Sequence, residues 1–244
     1  MNARIMRAVA AAILAGTMLV SAGCVRVKLP EPEFSTSSES VQLQGAEEVR
    51  VAIEMGAGKL TIDGGGTGLM DAKFGYNDAT WEPIVKYEVE DGVGDLSVKT
   101  PTTMRVNLGE DMRFEWDIEL GEGIPLDLSV LMGAGESTLD LSGLDVRRLQ
   151  VDVGAGESTI DLSGDWANDL TASINAGVGA LRIKVPENVG VRIVGLQDGL
   201  GDYEANGFAQ DGTALVNDAY DTADVRLEIT VQRGIGEVVV ETVR

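Results

Sequence analysis

Apolar and polar residues alternate along most of the chain after residue 45, which is the period of a β-strand with one buried face. Leu149, Val151 and Val153 take every second position, and Ile160 and Leu162 repeat the pattern after a short interval. The residues between them are mainly Asp, Ser, Thr and other polar types, which places polar side chains on the solvent side. Helical periodicity is scarce in the same region, so the pattern predicts an all-β protein.

A repeat organises these strands. The segment GAGESTLDLSG at 133–143 returns as GAGESTIDLSG at 154–164, 21 residues later. Self-similarity at a fixed period predicts stacked repeats, in which longer intervals become loops on the outside. A looser pattern, with an apolar strand on each side of a Gly-x-Gly motif, occurs seven times, with glycines at 56/58, 92/94, 133/135, 154/156, 177/179, 199/201 and 234/236.

The paired glycines predict sharp bends. Glycine reaches positive φ without steric cost and allows neighbouring backbones to approach closely. A dinucleotide-binding loop would place a helix after the glycines, but here an alternating strand follows, so no cofactor is expected. The sequence therefore predicts one all-β domain over residues 45–244, a β-helix-like β-solenoid of stacked short strands with Gly-x-Gly corners.

The N-terminal residues have the features of an export signal. Two arginines precede an apolar run, Ala8–Val20, which has the length of a signal-peptide core and is too short to span a bilayer. Residues 21–24, Ser-Ala-Gly-Cys, resemble the lipobox of bacterial lipoproteins, although Ser stands where Leu is usual. The resemblance implies that residues 1–23 are a lipoprotein signal peptide and that Cys24 carries lipid.

A lipid on Cys24 would attach the protein to a membrane, because two acyl chains already make a stable anchor. Val25 after the cysteine implies, by the same resemblance, delivery to the outer membrane of a cell that has one. Residues 24–44 contain prolines and the run STSSES, and this linker composition predicts a flexible tether. An ordinary cleaved signal with an incidental Cys24 is the alternative.

Charge and composition narrow the function classes. Asp and Glu number 40 against 19 Lys and Arg, and the formal charge of −21 disfavours a nucleic-acid partner. The chain has no His and one Cys, which excludes an internal disulfide, a Ser-His-Asp triad and zinc sites of the Cys/His kind. The sequence predicts no catalytic, cofactor-binding or metal-binding residues, and Cys24 is the one site residue.

Repeated acids are expected to line up between neighbouring coils. Asp140 and Asp161 occupy equivalent repeat positions, as do Glu136 and Glu157. Stacked carboxylates repel unless they are screened or bridged, so these residues are either solvated surface or weak cation-binding ladders. Three tryptophans are predicted to pack in the core or to cap the open ends: Trp81, Trp116 and Trp166.

The succession of Gly-x-Gly corners and short strands, clearest at 154–162 and 177–186, resembles the toast-rack domains and the related putative-adhesin domains of bacterial envelope proteins. The resemblance covers residues 45–244 and implies a β-solenoid without catalytic residues to carry over. Some members of this family act in antibiotic responses and have transmembrane helices before the toast-rack domain, where this chain has the lipobox-like residues 21–24.

Three functions are compatible with these features. The leading hypothesis is a non-catalytic envelope protein, periplasmic or surface-exposed and anchored through Cys24, that binds another envelope protein or a cell-wall polymer in adhesion or an envelope stress response. The second is a β-helix carbohydrate-active enzyme that uses acidic residues. The third is a structural element that assembles through its exposed terminal coils.

Overall fold

A computed structural model describes residues 34–102 and 113–244. In these ranges the chain forms one 14-stranded sheet and a short 3₁₀ helix at Ala79–Trp81, which confirms the predicted all-β class. The same ranges contain no helix with the length and hydropathy of a membrane span. The strands are Ser35–Val41 (β1), Glu48–Gly66 (β2), Met70–Tyr76 (β3), Ile84–Glu90 (β4), Val93–Lys99 (β5), Phe114–Gly121 (β6), Leu126–Asp140 (β7), Val146–Asp161 (β8), Leu170–Pro186 (β9), Gly190–Val194 (β10), Tyr203–Ala205 (β11), Phe208–Asp211 (β12), Ala214–Asn217 (β13) and Arg226–Val243 (β14).

Five long strands form the body of the molecule. β2, β7, β8, β9 and β14 lie side by side in that spatial order, and each is parallel to its neighbours. Each of these long strands forms one coil of a stack, and successive coils are about 4.8 Å apart, the usual distance between adjacent strands of a sheet. The second glycines of the five motifs pair in register along this stack: Gly58, Gly135, Gly156, Gly179 and Gly236.

Each long strand bends at its glycines so that both halves bury side chains in one interior. In β8, Val151 and Val153 are buried before the glycines, whereas Ser158 and Ile160 are buried after them. In a straight strand the buried residues would be either all odd-numbered or all even-numbered. The change from odd-numbered to even-numbered buried residues therefore confirms the predicted corner. We call the halves before the glycines the first wall and the halves after them the second wall; their buried residues form one core.

The second glycine of each corner is required for two reasons. Gly156 has φ +134°, a backbone conformation that side chains with a Cβ rarely adopt. A Cβ at this position would also lie 1.8 Å from the carbonyl oxygen of Gly135 on the neighbouring strand. The two strands therefore approach this closely only if the residue at position 156 lacks a side chain.

The insertions between repeats extend the walls, and the prediction that they form outer loops is wrong. At one end, β5 pairs with the first half of β2 and β6 with its second half. At the other end, β10 and β11 pair with the two halves of β14. These segments carry their own period-two alternation, as in Phe114, Trp116 and Ile118, and bury it by pairing with the outermost long strands.

One predicted corner is wrong. Gly92 has φ +81° and the preceding Asp91 has φ +50°, and these two residues form the tight turn between the antiparallel strands β4 and β5. Asp-Gly is a preferred pair for such a two-residue hairpin. By contrast, Gly199 and Gly201 do join the stack, because Leu200 between them bridges to Ile235 of β14.

Part of the predicted tether is a strand. Residues 35–41 form β1, which pairs antiparallel with β3 at an edge of the second wall. Most of its side chains are exposed, so a Ser/Thr-rich composition suits an edge strand as well as it suits a linker. The domain therefore includes residues that the composition assigned to the 24–44 tether.

Aromatic side chains close the interior at the β6 end. Trp116 is fully buried, and its ring lies 5.5 Å from the ring of Phe74 and 5.4 Å from that of Phe114, both in edge-to-face geometry. Trp81 packs on Phe114 at 6.0 Å, while the half-buried Trp166 donates from Nε1 to the Leu162 carbonyl at 2.8 Å. The predicted core or capping role of the tryptophans is confirmed.

Candidate binding surface

Cys24, the predicted lipidation site, lies outside the described residues. Within residues 34–102 and 113–244, no three acidic or cysteine side chains are grouped so that they could hold a metal ion.

The repeated acids line up on the outer face of the second wall, as the sequence predicts. Asp140 is the direct neighbour of Asp161 across β7 and β8, and Glu136 is the neighbour of Glu157. The aspartate row continues to Lys184 on β9, whose Nζ lies 3.0 Å from Oδ2 of Asp161. A cation supplied by the chain itself thus offsets the repulsion at this end of the row.

Each repeated aspartate also closes a turn. Oδ1 of Asp140 accepts hydrogen bonds from the backbone N and the Oγ of Ser142, at 3.1 and 2.6 Å. Oδ1 of Asp161 accepts the same two bonds from Ser163, at 3.0 and 2.5 Å. Such side-chain acceptors stabilise the turn that follows an aspartate. The recurrence of Asp-Leu-Ser-Gly is therefore explained by the turn at the end of a coil, without a bound cation.

These bonds make Asp161 a pH-dependent stabiliser. Burial alone would raise the pKa of Asp161, but hydrogen bonds from Ser163 and Lys184 outweigh it and place the pKa below its ordinary value. A carboxyl group whose pKa is lowered by folding stabilises the fold above its unfolded pKa, and that contribution disappears as the pH falls through the folded pKa.

We expect Asp161→Asn to lower the free energy of unfolding by about 1 kcal/mol at pH 7, because charge-assisted hydrogen bonds are lost. The difference from wild type should shrink below about pH 4, where the unfolded aspartate gains its proton. Urea unfolding at pH 7, 5 and 3 measures this difference, with the exposed loop residue Asp198, changed to Asn, as control. A difference that stays constant with pH would contradict the prediction.

Acidic charge accumulates further along the second wall. Burial raises the pKa of Asp63, and the charges of Asp140, Glu119 and Asp117 raise it further. Asp63 and Glu119 are direct neighbours across β2 and β6. This part of the wall therefore carries mutually repelling carboxylates and presents a negative surface to solvent.

The first wall neutralises its own charges. Arg50 lies between Asp95 and Asp127 in the strand register, and Arg148 follows Asp127. The Arg148 Nε donates to Oδ2 of Asp127 at 3.0 Å, and Arg50 lies 3.5 Å from Asp95. Opposite charges thus alternate across four strands in this row and offset one another.

The middle residues of the Gly-x-Gly motifs form a row along the corner, which we call the corner ridge. Three of them are large and aliphatic, and they are exposed by 55% (Val178), 56% (Ile235) and 67% (Leu200). The ridge runs in register from small to large side chains: Ala57, Ala134, Ala155, Val178, Ile235 and Leu200.

A groove of about 490 Å³ runs beside the corner ridge on the side of the first wall. Its floor contains four first-position glycines, and we call it the glycine groove. Leu131, which is 48% exposed, lies on its border. The glycines of the floor and the polar side chains that line the groove are Gly133, Gly154, Gly177, Gly234, Asp152, Asn175, Gln232 and Arg233.

Comparison with known families agrees with this architecture. The family model described as the N-terminal domain of toast_rack, DUF2154, matches residues 30–184, which is more than half of the chain. The chain belongs to the toast-rack family. The match ends within β9, and the strands from β10 to β14 complete the toast-rack stack beyond it.

Solved structures support the same assignment. The toast-rack chain is similar to a “putative cell adhesion protein” from Clostridium sporogenes, with 31% identity and a TM-score of 0.80 over 86% of this chain and 100% of that one. A “putative adhesin” from Parabacteroides merdae matches with 14% identity and a TM-score of 0.27 over 87% of this chain and 97% of that one. No curated protein matches the chain. The resemblance stated from the Gly-x-Gly corners is confirmed.

Reasoning from the sequence missed the corner ridge. The signal was present, because the middle residues of the last three motifs in the stack are Val178, Leu200 and Ile235. Their exposure follows only once the glycines on either side are placed at the outside of a bend. The toast-rack geometry thus exposes the three large residues that lie between two corner glycines.

Proposed function

We propose that this toast-rack protein is a non-catalytic binding or adhesion module of the bacterial envelope, held at the membrane by lipid on Cys24. The observation that carries the proposal is the likeness, at 31% identity and over the whole of that chain, to the Clostridium sporogenes protein described as a “putative cell adhesion protein”. The lipobox-like residues 21–24 supply the means of attachment. The broad outer faces of two walls supply surface for a partner.

The anchor is tested by metabolic labelling with an alkyne analogue of palmitate. We expect the wild-type chain to take up the label and to sediment with membranes. Because the chain has a single cysteine, the Cys24→Ser variant should lose the label. A wild-type chain without label would support the ordinary cleaved signal instead.

The binding role is tested by the attachment of cells. Bacteria that produce the wild-type chain should adhere to surfaces or to neighbouring cells more strongly than bacteria that lack it. Cells with Cys24→Ser should behave like cells without the gene, because the domain is made without the lipid that anchors it and directs its delivery. If attachment is the same in all three strains, and immobilised full-length chain also retains no envelope protein or cell-wall polymer, the proposed function is wrong.

A further inference from the structure

Contiguous aliphatic side chains project from one end of the corner ridge. Val178 and Ile235 lie side by side on the adjacent strands β9 and β14, and Leu200 forms a single bridge with Ile235. All three are more than half exposed. Single apolar residues are common on protein surfaces, but contiguous apolar patches with a polar border mark interaction sites. With about 4.8 Å between strands, the three side chains make a strip about 10 Å long.

The backbone holds this strip in place. The Leu200 N–H donates to the Gly234 carbonyl at 2.8 Å, and the Gly236 N–H donates to the Leu200 carbonyl at 2.9 Å. The guanidinium of Arg233 donates to the carbonyls of Leu196 at 2.8 Å and Gly201 at 3.0 Å. A strip whose backbone is fixed in this way presents its apolar side chains to a partner without a prior rearrangement.

Acidic side chains border the strip on both sides. On the second wall, Glu157 and Glu237 occupy the outward position directly after the second glycine of their motifs, and both are exposed. On the first wall, Asp152 lines the glycine groove. The basic side chain of that groove, Arg233, is occupied by backbone carbonyls. The strip is therefore apolar with a negative border, in a chain of net charge −21.

We infer that Val178, Ile235 and Leu200, together with the glycine groove, are a docking site for a cationic amphipathic segment of a partner protein. Apolar side chains of the segment cover the strip, and its Lys and Arg residues face the bordering carboxylates. The inference rests on the proposed binding function and names the surface and the chemistry of its partner. A second copy of this acidic chain, or an anionic lipid surface, would be repelled by the same border.

The test uses the full-length chain and a fluorescent ten-residue peptide of alternating Lys and Leu, with binding followed by anisotropy. We expect saturable binding that weakens as salt increases, because surface charges are screened. A Glu/Leu peptide should fail because of its charge, and a Lys/Ser peptide should bind much more weakly because it cannot cover the strip. Ile235→Ser with Leu200→Ser should weaken binding of the Lys/Leu peptide about tenfold, through the loss of apolar contact.

The matched control is Ile84→Ser, which removes an exposed aliphatic side chain, 46% accessible, from the edge strand β4. Net charge is unchanged in every variant, so attraction of the peptide to the whole acidic chain cannot produce the difference. Circular dichroism confirms that each variant keeps its strands. If the strip variants bind like wild type, or if Ile84→Ser weakens binding equally, the inference is wrong.

A lipid partner gives a different result. Suppose that the wild-type chain binds phosphatidylcholine vesicles but not the Lys/Leu peptide, and that the Ile235→Ser, Leu200→Ser double variant loses vesicle binding. The strip would then bind a membrane surface, and the inference would be wrong. The attachment of cells reports separately on the proposed function. If cells that produce the Ile235→Ser, Leu200→Ser double variant attach normally, the proposed function stands, but the strip is not the surface responsible for attachment.

Discussion

Changing Gly156 to Ala is expected to lower the free energy of unfolding by about 4 kcal/mol, the sum of backbone strain and overpacking at a site that cannot relax. The new Cβ would sit on a residue with φ +134° and 1.8 Å from the Gly135 carbonyl oxygen. Neither can shift alone, because Gly135 and Gly179 pair with Gly156 on its two sides. Guanidinium unfolding followed by circular dichroism measures the loss.

Three other glycines separate the effect of backbone strain from that of steric collision. Gly65 has φ +105°, but a Cβ there meets no atom within 4 Å, so Gly65→Ala should show the strain alone, about 1 kcal/mol. Gly56 is a first-position glycine whose Cβ would come no closer than 3.9 Å to another atom, whereas the Cβ of the equivalent Gly154 would lie 2.4 Å from the Gly133 oxygen. Gly56→Ala should therefore be nearly neutral and Gly154→Ala destabilising. If Gly156→Ala is no worse than Gly65→Ala, close stacking does not require the corner glycines.

These corners were predictable from the sequence because their causes are local. Alternation on either side of a Gly-x-Gly motif, as in Val151 and Ile160, already fixes two strands and the residue type between them. The near-identical segments at 133–143 and 154–164 then place two coils in register. Local signals of this kind also predict that Asp140 lies beside Asp161, as it does.

The neighbours of the outer strands were not predictable in the same way. β14, which comes last in the sequence, lies between β9 and β10 in the sheet. β5 and β6, which follow β2 in the sequence, pair with one edge of β2, whereas β7 pairs with its other edge. The period-two alternation of a strand does not identify the strand with which it pairs, because pairing between distant segments depends on which apolar edge is left uncovered. The insertions consequently looked like loops, although they carry the alternation of strands.

Two further errors have physical reasons of the same kind. The Gly92 motif matched the corner pattern, but its preceding Asp91 makes a two-residue hairpin turn, a signal that outweighs the glycine spacing. Residues 35–41 have linker composition because an edge strand with both faces largely in solvent needs few apolar residues. The candidate surface was hidden for a related reason, since the exposure of Ile235 depends on the direction of a bend rather than on its own residue type.

Changing Trp116 to Ala is expected to lower the free energy of unfolding by about 4 kcal/mol, because a large, fully buried side chain is removed. Trp116 lies on β6, which covers the second half of β2 at this end of the stack. Its ring contacts those of Phe74 and Phe114, which lie on β3 and on β6 itself. Repeat folds depend on such terminal units to cover the apolar side of the last coil.

Trp116→Phe and Trp166→Ala are the matched comparisons. The Trp116 Nε1 is buried without a hydrogen-bond partner among the described residues, so Phe keeps an aromatic ring and loses no hydrogen bond; we expect a cost of about 1 kcal/mol. Trp166 is only partly buried and donates one bond to the Leu162 carbonyl, so its removal should cost less than that of Trp116.

Hydrogen exchange should show where the Trp116→Ala stack opens. Because each coil contacts mainly its neighbours, loss of the aromatic cluster should accelerate amide exchange in β3 and β6 first, in β2 next, and least in β8 and β9. Uniform acceleration across all strands would mean that the coils unfold as one unit and that the aromatic end has no separate role. Acceleration confined to β3 and β6 would instead show that the central coils do not need the aromatic end, which is the behaviour expected if their glycine corners and their own buried side chains hold them together.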